Sequence, residues 1–186
     1  VHAHMMLGLP EDKNDLMAIF AEDFRPDMLK IYPCMVMPGT ELEKMYKKGE
    51  FTPIRTEEVI TLLAEFKPLV PEYVRIMRIQ RDIPTKQTID GVNKTNLRQL
   101  LKEYMNKKNI HCNCIRCNEI KSTITNPKLD ILEYTASKGK EFFISLKQGK
   151  EIIGFCRLRF PSQSLREEIT KDSAIIRELH IYGVAI

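Results

Sequence analysis

Strand-like and helix-like segments alternate over the first eighty residues, and this order constrains the fold more than any other feature. A β-α-β-α-α-β order predicts parallel strands joined by right-handed crossovers, because the connecting helices must pack back onto the sheet. We therefore expect an α/β fold. The expected segments are a strand at Val1–Leu7, a helix near Asp12–Ala21, a strand at Leu29–Val36, a short helix from Thr40, a longer helix from Thr56 and a strand at Tyr73–Gln80.

The pattern changes after Asn126-Pro127, where strands separated by short Gly- and Lys-containing turns predict an antiparallel meander. Before this point, a helix near Thr95–Lys107 leads into a cysteine-rich segment. We expect a first domain over 1–92, a connector over 93–127 and the start of a second domain over 128–186. The strands of the second domain are expected at Leu129–Thr135, Glu141–Leu146, Glu151–Phe160 and Ile175–Gly183.

Composition is that of a globular protein, since 43% of the residues are hydrophobic and 29% are charged. No apolar run approaches the roughly 20 residues that a membrane helix needs, so we expect no membrane partner. The net charge of +4 permits an anionic partner without requiring one. Five cysteines, with three of them inside six residues, favour a reducing compartment over a disulfide framework. We expect a cytoplasmic protein.

Both ends of the chain are strand-like. Val1 is not an initiator Met, and no basic-then-apolar signal pattern follows it. The chain stops three residues after Gly183. An interior piece of a larger enzyme explains these abrupt ends better than an ordinary protein with short termini, and we expect such a piece.

Three cysteines, Cys112-x-Cys114-x-x-Cys117, form the strongest chemical motif, and His111 stands beside them. Thiolates suit zinc, which takes four ligands in a closed structural site. The motif supplies three ligands, and the fourth is open between His111, a histidine of the first strand and another segment. The alternative is three free thiols on a connector. The spacing does not suit the iron–sulfur cluster of a radical enzyme, whose cysteines are spread over a longer loop.

Arginines occupy the last strand of the first domain and its end. Strict alternation along a strand places Arg75 and Arg81 on one face and Arg78 on the other. Because parallel strands are usually apolar on both faces, these arginines need carboxylate partners or a phosphate-bearing ligand. Internal pairing with Asp82 or another acid is an equal alternative. The following helix is also basic and either contacts a nucleic-acid backbone or is simply solvated; its basic residues and those flanking it are Lys94, Arg98, Lys102, Lys107 and Lys108.

Taken in order, several segments resemble the family of the elongator complex catalytic subunit, radical-SAM and acetyltransferase enzymes that modify the wobble uridine of tRNA. The resemblance covers nearly the whole chain. Leu7 departs from it, because the family usually has proline there. The matching runs are His4–Pro10, Phe24–Asp27, Lys30–Pro33, Gly39–Leu42, Arg78–Pro84, Gly91–Val92, Asn96–Arg98, Ile153–Arg159 and Arg177–Gly183.

The resemblance implies the C-terminal part of a radical-SAM (partial TIM-like) barrel, a zinc connector and the first strands of a GNAT-type acetyltransferase domain. It implies an acyltransferase that uses S-adenosylmethionine, a 4Fe-4S cluster and acetyl-CoA to carboxymethylate C5 of the uridine. Its partners would be tRNA and acetyl-CoA, with a second copy in a homodimer or other elongator-type subunits. The implied acetyl-CoA contacts are Glu178, Leu179, His180 and Ile181, and the candidates on the tRNA or S-adenosylmethionine side are Lys30, Arg78, Arg81 and Arg98.

Two parts of the family's machinery would lie outside the chain. The three-cysteine cluster loop would precede Val1, and the glycine-rich pyrophosphate loop would follow Ile186. We therefore expect the segment alone to be inactive, and no catalytic residue is assigned. Two alternatives stay open: a non-catalytic zinc-stapled RNA-binding module, favoured by the cysteine motif and the basic helix, and a lysine acetyltransferase acting on protein.

Overall fold

The computed structural model describes residues 1–9, 15–80, 83–162 and 166–183. Within these residues, no helix combines the length and the apolar character that crossing a membrane requires. In chain order the helices and strands are β1 (His2–Leu7), α1 (Asp15–Ala18), β2 (Met28–Pro33), α2 (Glu41–Lys47), α3 (Thr56–Phe66), β3 (Arg75–Arg78), α4 (Leu97–Lys107), β4 (Lys128–Ala136), β5 (Gly139–Gln148), β6 (Glu151–Phe160) and β7 (Ile175–Ile181).

The chain divides into two compact units. The first comprises Val1–Ala18 and Pro26–Cys114, and the second comprises Ile19–Arg25 and Ile115–Ile186. The segment 19–25 thus belongs with the second unit although it precedes most of the first unit in the sequence. No local pattern indicated this placement, because it depends on contacts made by residues more than a hundred positions away.

Three parallel strands in the order β1-β2-β3 form the sheet of the first unit, as the alternation of strands and helices predicted. Leu29 and Ile31 of the central strand β2 are fully buried, and so is Ile76 of β3. These side chains form the apolar face of the sheet. The predicted strand at 29–36 is too long, since β2 ends at Pro33 and Val36 forms only an isolated bridge.

Helix α3 begins at Thr56, where the sequence predicted it. The Glu58 carboxylate accepts a hydrogen bond from Arg55 N at 2.8 Å, which satisfies one backbone donor at the start of the helix. One side of the helix buries Val59 and Leu63 completely, and each such burial stabilises the fold by about 1.5–3 kcal/mol. Pro68 lies in the 3₁₀ turn that follows, because its ring cannot continue an α-helix.

A register shift corrects the predicted placement of the arginines on β3. Arg75 lies opposite Met28, but Arg78 rather than Met77 lies opposite Lys30, so the pairing of β2 with β3 contains a bulge. A bulge opposes two residues to one and so breaks strict alternation. Arg75 and Arg78 therefore lie on the same face of the sheet, and the prediction that they lie on opposite faces was wrong.

Four antiparallel strands in the order β4-β5-β6-β7 form the sheet of the second unit, which confirms the predicted meander. Strands β4 and β5 meet at a turn in which Ser137 and Lys138 have φ angles of 46° and 63°. Residues other than glycine adopt such angles at an energetic cost. Hydrogen bonds from Ser137 N to Glu22 O at 3.0 Å and from Ser137 Oγ to Asp23 O at 3.2 Å hold the turn in place.

Candidate functional site

One face of the parallel sheet is basic. β1 pairs His4 with Lys30 of β2, and Lys30 pairs in turn with Arg78 of β3. His2 of β1 and Arg75 of β3 lie on the same face, because both pair with Met28, two residues before Lys30 on β2. We call these five residues the basic face. His2, His4 and Arg78 are exposed, whereas Lys30 and Arg75 are half-buried, so the face is accessible to an anionic ligand.

The four residues predicted to lie on the tRNA or S-adenosylmethionine side have different surroundings. Arg98 of α4 donates a hydrogen bond from Nη2 to Ile76 O at 3.0 Å and so fastens the helix to β3. The side chain of Lys30 makes no hydrogen bond or ion pair with any residue that the structure describes. Arg81 lies outside the described residues. Of the four candidates, Lys30 and Arg78 are therefore the two that the structure brings together on one surface.

The three cysteines of the predicted metal motif also come together. The Sγ atoms of Cys112, Cys114 and Cys117 all lie within 4.8 Å of one another. Cys114 is buried, and Cys117 is exposed at the end of a short 3₁₀ turn. His111 is exposed and does not belong to this group; in the described part of the chain, three of the four predicted ligands are therefore close enough to share one ion.

The end of α4 sets the start of the cysteine segment. Asn109 has a φ angle of 53°, a left-handed conformation that asparagine tolerates and that commonly ends helices. Ile110 N then donates to Met105 O at 2.9 Å. The side-chain amide of Asn113 donates to Pro68 O at 2.8 Å and fixes the backbone between the first two cysteines.

Beyond the cysteines, the connector is fastened to the start of β6. Ile152 N donates to Asn118 O at 2.6 Å, and Ile120 N donates to Ile152 O at 3.0 Å. The Ser122 hydroxyl donates to the Glu151 carboxylate at 2.5 Å, and this hydrogen bond lowers the pKa of Glu151. Both backbone and side chains therefore order the segment that follows the thiols.

Strand β7 carries the four residues predicted to contact acetyl-CoA, and it lies at the edge of the second sheet. Leu179 and Ile181 are 71% and 77% exposed on one face. On the other face, the Glu178 carboxylate accepts from Arg157 Nε at 2.8 Å, and His180 stacks on a phenylalanine ring of β6 with centroids 5.9 Å apart. The outer backbone edge of β7 pairs with no strand among the described residues.

A buried charge network next to β7 was not predicted from the sequence. Glu141 of β5 is only 2% exposed, and its carboxylate accepts from Arg159 Nη1 at 2.7 Å and from Arg177 Nη2 at 2.8 Å. Arg157 is 1% exposed and lies over two phenylalanine rings at 5.1 Å and 5.4 Å. Alternation along β6, which places Arg157 and Arg159 on one face, is the sequence signal that could have indicated this network.

Part of the chain matches a known domain family. Residues 26–107 match the model of the Radical_SAM C-terminal domain. The matched range begins before β2, ends with α4 and contains Lys30, Arg78 and Arg98.

The chain as a whole is similar to curated proteins and to a solved structure. It is 44% identical to a tRNA uridine(34) acetyltransferase of Methanocaldococcus infernus over 98% of this chain and 38% of that protein. It is 36% identical to Elongator complex protein 3 of Dictyostelium discoideum over 100% of this chain and 36% of that protein. The solved archaeal Methanocaldococcus infernus Elp3 with N-terminus deletion (1-46) matches with a TM-score of 0.92 and 42% identity, over 98% of this chain and 47% of that chain. The chain thus spans less than half the length of each of these three proteins.

Proposed function

Over the segment it spans, the chain belongs to the family of proteins named tRNA uridine(34) acetyltransferase and Elongator complex protein 3, and from this membership we propose that it is part of an enzyme that modifies the wobble uridine of tRNA. The observation that carries the proposal is the match at 44% identity over 98% of the chain, which runs through both units. A match of one unit alone would support a shared domain; a match of both supports a shared enzyme.

We further propose that the enzyme is an acyltransferase that carboxymethylates C5 of the uridine with a two-carbon group from acetyl-CoA. The match of residues 26–107 to a radical SAM domain supports this chemistry. S-adenosylmethionine with a 4Fe-4S cluster would supply the radical. We assign the cluster ligands to residues outside this chain, because only Cys34 and Cys156 remain beyond the cysteine triplet. The 186-residue chain alone should therefore be inactive.

For β7 we propose that its open edge hydrogen-bonds the amide groups of acetyl-CoA, as an added strand would. The edge position of β7 in its sheet supports this role, because an edge strand presents backbone donors and acceptors in a row. The exposed side chains of Leu179 and Ile181 would form an apolar surface along the part of acetyl-CoA that carries the thioester. Glu178 and His180 would act indirectly: their side chains contact β6 and so hold β7 in the position in which its edge can bind acetyl-CoA.

For the cysteine triplet we propose a structural zinc ion. Three thiolates within 4.8 Å can occupy three corners of a tetrahedral shell, and thiolates are donors that zinc prefers. The fourth ligand stays open between His111, which is adjacent to Cys112 but lies outside this group, a histidine of β1 and another segment. A closed site of this kind would brace the connector and would not react.

We propose that the enzyme acts in the cytoplasm together with further subunits. All five cysteines are free thiols, which suits a reducing compartment. The name Elongator complex protein 3, carried by several relatives, describes a member of a complex and supports the expectation of partner subunits.

The test is to incubate the intact protein anaerobically with tRNA, S-adenosylmethionine and acetyl-CoA. We expect release of 5′-deoxyadenosine and free CoA, and a mass increase on the wobble uridine that corresponds to a carboxymethyl group. Binding of tRNA without release of either product would favour the RNA-binding module instead. Labelled acetyl groups recovered on protein lysine rather than on tRNA would favour the lysine acetyltransferase.

A further inference from the structure

One thiol of the cysteine triplet is accessible to an oxidant in solution. Cys117 is exposed, whereas Cys114 is buried and Cys112 is half-buried. The three Sγ atoms all lie within 4.8 Å of one another, so the exposed thiol has further thiols beside it. Cysteines that sense oxidants are accessible to solvent and lie next to a second thiol that can close a disulfide. The triplet has both properties.

The local backbone favours Cys114 as the partner of Cys117. A 3₁₀ turn covers Ile115–Cys117, and Asn118 N donates to Ile115 O at 2.9 Å. Side chains three residues apart in a 3₁₀ turn eclipse one another, so Cys114 and Cys117 lie on the same side of the turn. Redox-active thiol pairs commonly have this Cys-x-x-Cys spacing. The two Sγ atoms need to approach by less than about 3 Å to reach the length of a disulfide bond.

Hydrogen bonds on either side hold the backbone of the triplet. The Asn113 side-chain amide donates to Pro68 O at 2.8 Å, and Asn118 O accepts from Ile152 N at 2.6 Å. Because the flanking backbone is fixed, the two sulfur atoms can meet by rotation of the cysteine side chains between rotamers.

We propose that Cys117 and Cys114 are a peroxide-sensitive pair whose disulfide removes two ligands from the proposed zinc site. The Cys117 thiolate attacks hydrogen peroxide, an S–O bond forms, the O–O bond breaks and hydroxide leaves. The Cys114 thiolate then attacks the sulfur of this sulfenic acid, an S–S bond forms, the S–O bond breaks and a second hydroxide leaves. The two sulfur atoms together lose two electrons, the peroxide is reduced, and protons from the solvent convert both hydroxides to water.

The inference rests on the proposed structural zinc and adds a condition under which the site loses its ion. Zinc in a structural site takes four ligands, and its affinity depends on thiolates that are free to coordinate. After oxidation only Cys112 and the fourth ligand are left. The reduced protein therefore keeps the ion, and the oxidised protein releases it.

The test exposes the intact, zinc-loaded protein to hydrogen peroxide and follows zinc with a chromogenic chelator. Trypsin cleaves after Arg116, so a disulfide between the two thiols joins peptides 109–116 and 117–121. We expect release of about one zinc per chain, appearance of the joined peptides, and reversal of both by dithiothreitol with added zinc. Fragmentation of the joined peptides identifies the partner of Cys117 without any substitution, and Cys112 in that place would overturn the pairing.

Two serine variants test the order of the steps. Cys112→Ser should still join the two peptides after peroxide treatment. Cys114→Ser should not join them and should leave Cys117 as a sulfenic acid that dimedone labels on peptide 117–121. Joined peptides in Cys114→Ser, or no dimedone adduct there, would contradict the proposed steps.

Cys156→Ser is the control, because this half-buried thiol of β6 lies outside the triplet. It should release zinc and join the peptides as the unaltered protein does, and loss of either response would overturn the inference. A protein purified without zinc that still joins the two peptides would contradict the zinc site alone. A zinc-loaded protein that keeps its ion and forms no disulfide in peroxide would contradict the inference and leave the zinc site standing.

Discussion

At the scale of single residues, Asp90 ties together three parts of the first unit. Its carboxylate accepts from Arg55 Nη1 at 2.7 Å, from the Tyr46 hydroxyl at 2.8 Å and from Gly91 N at 2.7 Å. The hydrogen bond from Arg55 is the main cause that lowers the pKa of Asp90, and the hydrogen bond to Asp90 raises the pKa of Tyr46. The ionised carboxylate is therefore the form that holds α2, the start of α3 and the loop before α4.

We expect this tie to weaken in acid. The folded pKa of Asp90 lies below its ordinary value of 3.8, so the stabilising contribution is complete above that value and is lost as the pH falls through the folded pKa. Urea unfolding midpoints at neutral and acidic pH check this. Asp90→Asn should lower the midpoint at neutral pH and reduce its loss in acid. Asp130→Asn, which removes an exposed partner of Lys147, should change the urea midpoint little. Equal changes of the midpoint in both variants would contradict the stabilising role of Asp90.

Gly154 of β6 allows the edge strand β7 to approach. A Cβ at this position would lie 2.9 Å from His180 O and 3.4 Å from Ile181 Cα. Gly154→Ala should push β7 outward, lower the free energy of unfolding by about 1–3 kcal/mol and weaken acetyl-CoA binding by the intact protein. Gly183→Ala is the control, because no atom of the residues that the structure describes lies within 4 Å of its added Cβ. Urea unfolding and acetyl-CoA titration compare the two, and similar losses in both would contradict the close approach.

At the scale of elements, two ion pairs hold a bulge in β7. Arg157 of β6 lies opposite Glu178, but the next residue of β6 lies opposite Ile176, so Arg177 is the extra residue of the bulge. Arg157 binds Glu178, and Arg177 binds the buried Glu141 of β5. Glu178 and Arg177 are thus each held by an ion pair to another strand of the same sheet. These two ion pairs fix the direction of the rest of β7.

Removing the charge of Glu141 should therefore destabilise the second unit. Glu141→Gln leaves Arg159 and Arg177 without their shared carboxylate in a buried position, and a loss of about 3 kcal/mol in unfolding free energy is expected. Glu133→Gln on β4 breaks an exposed pair with Lys140 and should change stability by less than about 1 kcal/mol. Urea unfolding measures both, and a neutral Glu141→Gln would show that the network does not stabilise the fold.

Element identity was predictable, whereas exact strand pairing was not. The parallel and antiparallel sheets followed from local alternation and turn residues, which each segment carries in its own sequence. The bulges at Met77 and Arg177 depend on which residue of a neighbouring strand lies opposite. Pairing of this kind is a long-range property, and the face of Arg75 and Arg78 was mispredicted for that reason.

At the scale of the whole molecule, the candidate sites differ in how far apart their residues lie in the sequence. The cysteine triplet was found directly, because its three ligands fall within six residues. On the basic face, positions 4, 30 and 78 lie side by side, and only the topology of the sheet brings them together. The resemblance pointed to Lys30 and Arg78, whereas His4 was only part of a matching run, and no local pattern indicated that the three residues are neighbours.

The metal centre gives the prediction that concerns the whole chain. We expect about one zinc per chain by elemental analysis, lost when Cys112, Cys114 and Cys117 are changed together to serine. If the ion cross-links the connector with the strength of a typical disulfide, about 3 kcal/mol, its removal should lower the melting temperature by about 6–12 °C. Cys156→Ser is the control, because this half-buried thiol of β6 lies outside the triplet and should leave the metal content unchanged. Iron in place of zinc, or a triple variant that retains its metal, would show that the three thiols do not form a structural zinc site.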